Sequence, residues 1–162
     1  MTTKEYNKSV EELSDNVYRF ILSNIRDEEL ARDIVQDAYE RLWMNCKKVD
    51  AKKVRSYLFT TAHNRMIDMI RKAKHEQKAD VTPEVASPYH DDQYSDLSEV
   101  LESALSELNE TQRSVLLLRD YEGYAYKEIA EITELSESQV KVYIYRARLA
   151  MKEKIGSIEA IV

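Results

Sequence analysis

Two stretches of this sequence place aromatic, amide and cationic side chains at helical spacing, a combination suited to holding nucleic acid. In "SESQVKVYIYRARLAMK", Lys141, Tyr145, Arg148 and Lys152 recur at i, i+4, i+7 and i+11, with Ser138, Gln139, Val142 and Arg146 further round the same helix. Cations on such an arc can hold phosphates while polar groups meet base edges. In "SYLFTTAHNRMIDMIRK", Tyr57, Thr61, Asn64, Asp68 and Arg71 follow the same rhythm, with Arg65 nearby and Lys72 in the basic far end. Rings stack on unpaired bases, an amide reads a base edge and cations hold the backbone, so this stripe suits single-stranded nucleic acid. A solvated helix face with one tyrosine would give the same pattern, and spacing alone does not separate the two. Bond-making chemistry has no comparable support. There is no Ser/His/Asp or Cys/His arrangement, no Gly-rich phosphate loop and no paired-ligand spacing, so no catalytic residue, metal site, cofactor or small-molecule substrate is expected. His63, His75 and His90 are scattered and expected at the surface.

The elements that must carry these stripes are helices. Two Gly and two Pro in 162 residues, with long runs of helix formers, predict an almost purely helical protein. Leu13, Val17, Phe20, Ile21 and Ile25 give a first helix, and Asp27 to Glu29 open a second, "EELARDIVQDAYERLWMNC". There Ala31, Val35, Ala38 and Leu42 form the inward stripe, against a polar counter-stripe of Asp33, Gln36, Asp37, Glu40 and Arg41. That counter-stripe is either a solvated face or a docking face for a basic partner. In the third helix Phe59, Ala62, Met66 and Met69 or Ile70 point inward. Further on, "TQRSVLLLRDYEG" ends at a glycine suited to a helix C-terminus, and "AYKEIAEIT" is a short helix with Ile129 and Ile132 inward. Ser136 and Gln139 form the S-x-x-Q capping box that starts the last helix, whose inward stripe is Val140, Ile144, Ala147 and Met151. A short helix, a tight turn and a longer capped helix make a helix-turn-helix.

Charge is polarised along the chain. The net charge is −6, so bulk electrostatics would not coat nucleic acid, yet Lys52 to Lys78 holds eight Lys or Arg against two acids. The following "ADVTPEVASPYHDDQYSD" holds both prolines, five acids and no Lys or Arg, and reads as a flexible acidic linker. The expected organisation is therefore a helical domain at residues 5–78, a linker at 79–97 and a second helical domain at 98–157. No apolar run is long enough to span a bilayer and the N-terminus has no leader character, which places the protein in the cytoplasm. The single Cys46 excludes an internal disulfide and reads as a half-buried thiol.

"RDIVQDAYERLW" and "SYLFTTAHNRMIDMIRK" resemble conserved region two of bacterial RNA polymerase sigma factors of the extracytoplasmic-function (ECF) group, within the sigma-70 family. "LSELNETQRSVLLLRDYEGYAYKEIAEITELSESQVKVYIYRAR" resembles their region four, in the same order and at the usual separation. The resemblance implies an all-α protein of two small domains and a non-enzymatic role: binding core RNA polymerase and directing promoter-specific initiation. It implies that Asp33, Gln36, Asp37, Glu40, Arg41 and Trp43 dock on the coiled coil of the largest catalytic subunit, with the polymerase flap as a second contact. Tyr57, Thr61, Asn64, Arg65, Asp68, Arg71 and Lys72 would capture the melted −10 element, with Asn64 and Asp68 nearest a flipped base. Ser136, Ser138, Gln139, Lys141, Val142, Tyr145, Arg146 and Arg148 would face the −35 element in the major groove. An anti-sigma factor, soluble or membrane-bound, is implied as a further partner.

The chain departs from the family pattern in places. Tyr57 stands where Trp is common and Thr60 where a basic residue is common. Ala125 replaces a capping Ser, at a cost of about 1 kcal/mol. Glu134 replaces a turn glycine, so it must tolerate a left-handed backbone or shift the turn. Val142 and Tyr143 replace commoner polar or basic residues. Two other classes share parts of this pattern: a helix-turn-helix regulator with an N-terminal sensor or dimerisation domain, and a helical interaction module that mimics a sigma domain. Neither gives promoter-specific run-off transcription with core polymerase.

Overall fold

The computed structural model describes residues 1–77 and 96–159, with no strand among them. The chain divides into two compact units, Met1–Ala86 and Ser87–Val162. Most of the acidic stretch expected as a linker, including Asp91, Asp92 and His90, lies outside the described residues. Its last two residues, Asp96 and Leu97, instead open a helix.

The N-terminal unit is built from α1 (Thr3–Ile25), α2 (Glu28–Met44) and α3 (Val54–Gln77), with a single 3-10 turn at Ala51–Lys53 leading into α3. Local chemistry sets where the helices begin. The Thr2 hydroxyl accepts from the Glu5 amide at 3.1 Å and the Glu5 carboxylate accepts from the Thr2 amide at 2.9 Å, satisfying two otherwise orphaned donors. Asp27 caps α2 by accepting from the Leu30 amide at 3.1 Å. The three helices pack pairwise around Val17, Phe20, Ile21, Ile34, Ala38, Leu42, Leu58, Phe59, Ala62 and Met66, all essentially without solvent contact. Tyr39 ties α2 to α1. Its hydroxyl donates to the Ser9 carbonyl at 2.8 Å, and burial pushes its pKa up to about 12, so it remains a donor at any physiological pH.

The expected inward stripe of α2 is displaced by one residue at one position. Ile34 is fully buried, whereas Val35 is half-buried and lines an open groove of about 400 Å³ with Tyr6, Val10, Gln36 and Tyr39. Because α2 packs on both α1 and α3, its buried face is wider than the one stripe that spacing singles out. His63 is a second difference. Expected at the surface, it is 7% exposed, stacked near Phe20 at 6.3 Å, and its Nδ1 has no hydrogen-bond partner among the described residues. Desolvation alone lowers its pKa to about 4, so the ring is neutral at pH 7.

The C-terminal unit holds α4 (Asp96–Glu107), α5 (Glu110–Leu116), a π-helical turn (Leu117–Tyr121), α6 (Tyr126–Thr133) and α7 (Glu137–Glu159). Asn109 caps α5 through the Gln112 amide at 2.8 Å. Arg113 reaches back to the exposed carbonyl end of α4, donating to Leu105 at 2.9 Å and Leu108 at 2.7 Å. A cation there also complements the helix dipole. The π turn lets Val115, Leu116, Leu117 and Leu118 all be buried in succession, and Gly123 at φ 74° ends it in the left-handed region that glycine adopts without steric cost. Ile129, Ile132, Val140, Ile144 and Ala147 complete the core, as the spacing predicts, while Met151, expected on the same stripe, is only half-buried.

At the ends of α6 the expected missing cap is found, and of the two outcomes open to Glu134 the left-handed backbone is the one adopted. Ala125 makes no side-chain cap, and Glu134 occupies the left-handed region at φ 59°, ψ 33°. The turn is kept and Glu134 bears the backbone cost. Ala125→Ser and Glu134→Gly should each stabilise the C-terminal domain by about 1 kcal/mol, raising its thermal midpoint by roughly 4 to 8 °C. Calorimetric melting of the two variants beside the wild type checks this.

Candidate nucleic-acid and partner-binding surfaces

In the N-terminal unit α2 presents Asp33, Gln36, Glu40 and Arg41 to solvent, and Asp37 is half-buried beside them. Trp43, at the end of this face, is half exposed and meets the Tyr6 ring edge-on at 5.0 Å, which fixes its orientation. The next residue, Met44, is 82% exposed. It extends the apolar end of this face, at i+11 from Asp33 along the stripe of Asp37 and Glu40, a position that polarity alone does not reveal because the residue is apolar.

On α3, Asp68, Arg71 and Lys72 are exposed, and Tyr57, Thr61, Asn64 and Arg65 are half-buried along the same helix. The Tyr57 hydroxyl is held in place. It accepts from the Asn45 amide at 3.3 Å and donates to the Arg41 carbonyl at 3.4 Å, so the end of α2 positions the ring at the start of α3. Besides this Tyr57–Arg41 contact, a side-chain pair joins the two sets of residues that the sequence treats separately: Arg65 Nε donates to Asp37 Oδ2 at 3.0 Å. Both partners are about one-third exposed, so the pair orients two side chains more than it stabilises the fold.

In the C-terminal unit the capping box forms as expected. The Ser136 amide donates to Gln139 Oε1 at 3.0 Å, and the Gln139 amide to Ser136 Oγ at 3.1 Å. The acceptor oxygens of both side chains are thereby committed to starting α7, leaving the Gln139 NH₂ as its outward donor. Ser138, Lys141, Val142, Tyr145 and Arg146 are exposed on the first turns. Lys141 Nζ lies 5.6 Å from the centre of the Tyr126 ring and Arg119 4.4 Å from it, so one α6 ring contacts two cations. Arg148 is exposed but engaged. Its guanidinium meets Asp120 at 2.6 and 3.3 Å, tying α7 to the π turn. Among the described residues no cluster of His, Cys, Asp or Glu could hold a metal ion, and no helix is long and apolar enough to cross a membrane.

An N-terminal three-helix unit with an exposed amide-and-cation stripe, followed by a helix-turn-helix unit, is the architecture of a sigma-70-type initiation factor. Residues 10–76 match the family model for sigma-70 region 2, and residues 98–151 match that for sigma-70 region 4. The chain belongs to the ECF RNA polymerase sigma factors. It is 33% identical over 147 residues to the ECF RNA polymerase sigma factor SigM of Bacillus subtilis, a match covering 85% of this chain and 87% of that protein. It is 34% identical over 124 residues to the ferric citrate uptake sigma factor FecI of Escherichia coli, covering 72% and 71%. The fold is shared with the sigma factor RpoE of Bartonella quintana, solved in complex with the anti-sigma factor NepR, at a TM-score of 0.83 and 24% identity over 95% of this chain and 98% of that one. CnrH, solved with the cytosolic domain of CnrY, is similar at a TM-score of 0.71 and 22% identity, covering 96% and 90%. As an alternative sigma factor, the protein binds core RNA polymerase and promoter DNA and directs promoter-specific transcription initiation.

Proposed function

We propose that the work is divided among three helices. The exposed face of α2, Asp33, Gln36, Asp37, Glu40, Arg41 and Trp43, docks on the coiled coil of the largest polymerase subunit. Trp43 and its neighbour Met44 supply an apolar anchor and the acidic residues select a basic partner. On α3, Tyr57, Thr61, Asn64, Arg65, Asp68, Arg71 and Lys72 hold the opened −10 element, the ring stacking on a base and the cations following the backbone. Helix α7 enters the major groove of the −35 element through Ser138, Gln139, Lys141, Val142, Tyr145 and Arg146, with Ser136 starting the helix and Arg148 anchored to Asp120. The protein performs no covalent step of its own and works in the cytoplasm. An anti-sigma protein is the partner that would hold it inactive.

The observation that carries this reading is the asymmetry of α7. One side is sealed by Val140, Ile144 and Ala147, while Lys141, Arg146 and Lys152 project from an otherwise acidic protein. Replacing Lys141 and Arg146 with Ala should lower transcription from a −35-dependent promoter about tenfold while core-polymerase binding is unchanged. Unaltered transcription would remove α7 from the DNA interface. Since Arg148 serves as an anchor, Asp120→Asn should also loosen α7, with a smaller loss of the same activity.

A further inference from the structure

The outward face of α7 is not evenly polar. The buried stripe of Val140, Ile144 and Ala147 defines the side turned to the core. With successive residues turning by about 100°, Val142 and Leu149 lie within about 20° of the opposite direction, and Ser138 and Tyr145 within about 50° of it. Val142 is 45% exposed, Tyr145 65% and Leu149 43%. The crest that projects furthest from the domain thus carries an apolar ridge, Val142–Tyr145–Leu149, between Ser138 one turn before it and Glu153 one turn after it, both exposed. Arg146 and Gln139 flank it on one side and Lys141 and Lys152 on the other. Neither Arg146 nor Lys152 has an ion pair among the described residues.

This order has a chemical consequence once α7 lies in a major groove, and the inference rests on that proposed reading. Flanking cations meet phosphates on the walls, and the crest meets the base edges on the floor. An isopropyl group cannot donate or accept a hydrogen bond. The one feature of the major-groove floor that it can favour over the alternatives is the C5-methyl of thymine. The Tyr145 ring offers a second apolar surface one turn on. Charge complementarity fixes the occupant as nucleic acid, since an apolar ridge bordered by three cations matches a methyl-bearing groove floor between two phosphate rows. A hydrophobic protein groove would leave those cations buried and unpaired.

We infer that Val142, with Tyr145 beside it, is a specificity-determining residue that selects thymine in the −35 element by contact with the base methyl group. The methyl makes no other contribution to base pairing, so it can be removed without changing the sequence read. The experiment uses the full-length protein with core polymerase on a promoter that the holoenzyme initiates from. Each −35 thymine, on either strand, is replaced singly by deoxyuridine in synthetic templates. Loss of one methyl contact should lower promoter occupancy about fourfold at one or two adjacent positions, the factor equivalent to one buried methylene-sized group. For Val142→Ser the thymine-to-uracil ratio at the affected position should fall to near one. Val142 is half exposed, so the substitution leaves the fold intact. Equal occupancy with thymine and uracil throughout the −35 element in the wild type would overturn the inference, as would an unchanged ratio in Val142→Ser. A scrambled −35 element distinguishes these failures from failure of the underlying reading. If scrambling it does not alter initiation, α7 does not read it at all.

Discussion

Replacing Asn64 and Asp68 together with Ala is expected to reduce transcription from a fully duplex promoter by about 30-fold, corresponding to about 2 kcal/mol from two lost polar contacts. A template already unpaired across the −10 element should recover nearly all of that loss at saturating holoenzyme. Extruding a base costs a few kcal/mol, and an initiation factor without a hydrolytic energy source must offset this by binding the extruded base. The proposed capture surface is the side of α3 where Asn64 is half-buried and Asp68 exposed, beside the Arg65 guanidinium held by Asp37 at 3.0 Å. A contact that only positions the protein on the duplex would be missed equally on both templates. A contact that traps the opened strand is needed mainly when the strand must be opened, so the ratio between templates is the informative quantity. Stability should change little, since neither side chain is in the core and Ala is the better helix former. Equal loss on duplex and pre-opened templates would place these residues outside the capture step.

The second large effect concerns His63 and acidity. Its ordinary pKa is about 6.5. In the folded N-terminal domain burial lowers it to about 4, so the folded state binds the proton less readily than the unfolded chain does. The stability of the neutral ring is fully present above pH 6.5 and is lost as the pH falls through the window down to about 4. The slope is at most about 1.4 kcal/mol per pH unit, giving an order-of-magnitude loss of about 3 kcal/mol. Carboxylates ordinarily titrate at the low end of this range, so the comparison is between the wild type and His63→Leu, which keeps an apolar side chain of similar bulk beside Phe20. Urea denaturation at pH 7 and at pH 4.5 should show the wild type losing about 2 to 3 kcal/mol more than the variant. Parallel losses in the two proteins would mean that His63 is not the group that titrates. Because α3 carries both His63 and the proposed base-capturing stripe, acid loosening of this domain should also impair promoter opening.

Most of the helical framework is legible in local sequence. The caps at Asp27 and Ser136 and the Val140, Ile144 and Ala147 positions of the inward stripe of α7 follow from side-chain chemistry within four residues of each position, whereas the strained turn at Glu134 is marked only by the family resemblance. What is not legible depends on contacts distant in sequence. Spacing identifies Val35 as an inward residue of α2, but packing against both α1 and α3 buries Ile34 instead. His63 falls at i+4 from Phe59 and i−3 from Met66, on the inward side of α3, but its residue type argues for the surface, and Phe20, on another helix, completes its surroundings. The ion pairs Asp37–Arg65 and Arg148–Asp120 each join residues 28 positions apart, and no local pattern announces them. They alter the reading of the surfaces. Arg148 shares the exposed arc with Lys141 and Tyr145, yet its guanidinium is already held by Asp120. The π turn is hidden for a related reason: "LLLRDY" reads as a continued α-helix until the turn register and Gly123 are seen.

The proposed division of labour between the two domains also accounts for the chain's charge. A net charge of −6 opposes binding to a polyanion, and the cations proposed to meet DNA form two small sets, on α3 and on α7, so tight promoter binding requires the polymerase to bring both sets to DNA together. Run-off transcription with purified core polymerase and sheared genomic DNA tests this most directly. The account predicts discrete transcripts that start downstream of a shared pair of upstream elements, only when this protein and core polymerase are both present. Core polymerase giving the same products without it, or the protein retarding specific duplexes tightly alone while adding no start site, would contradict the account.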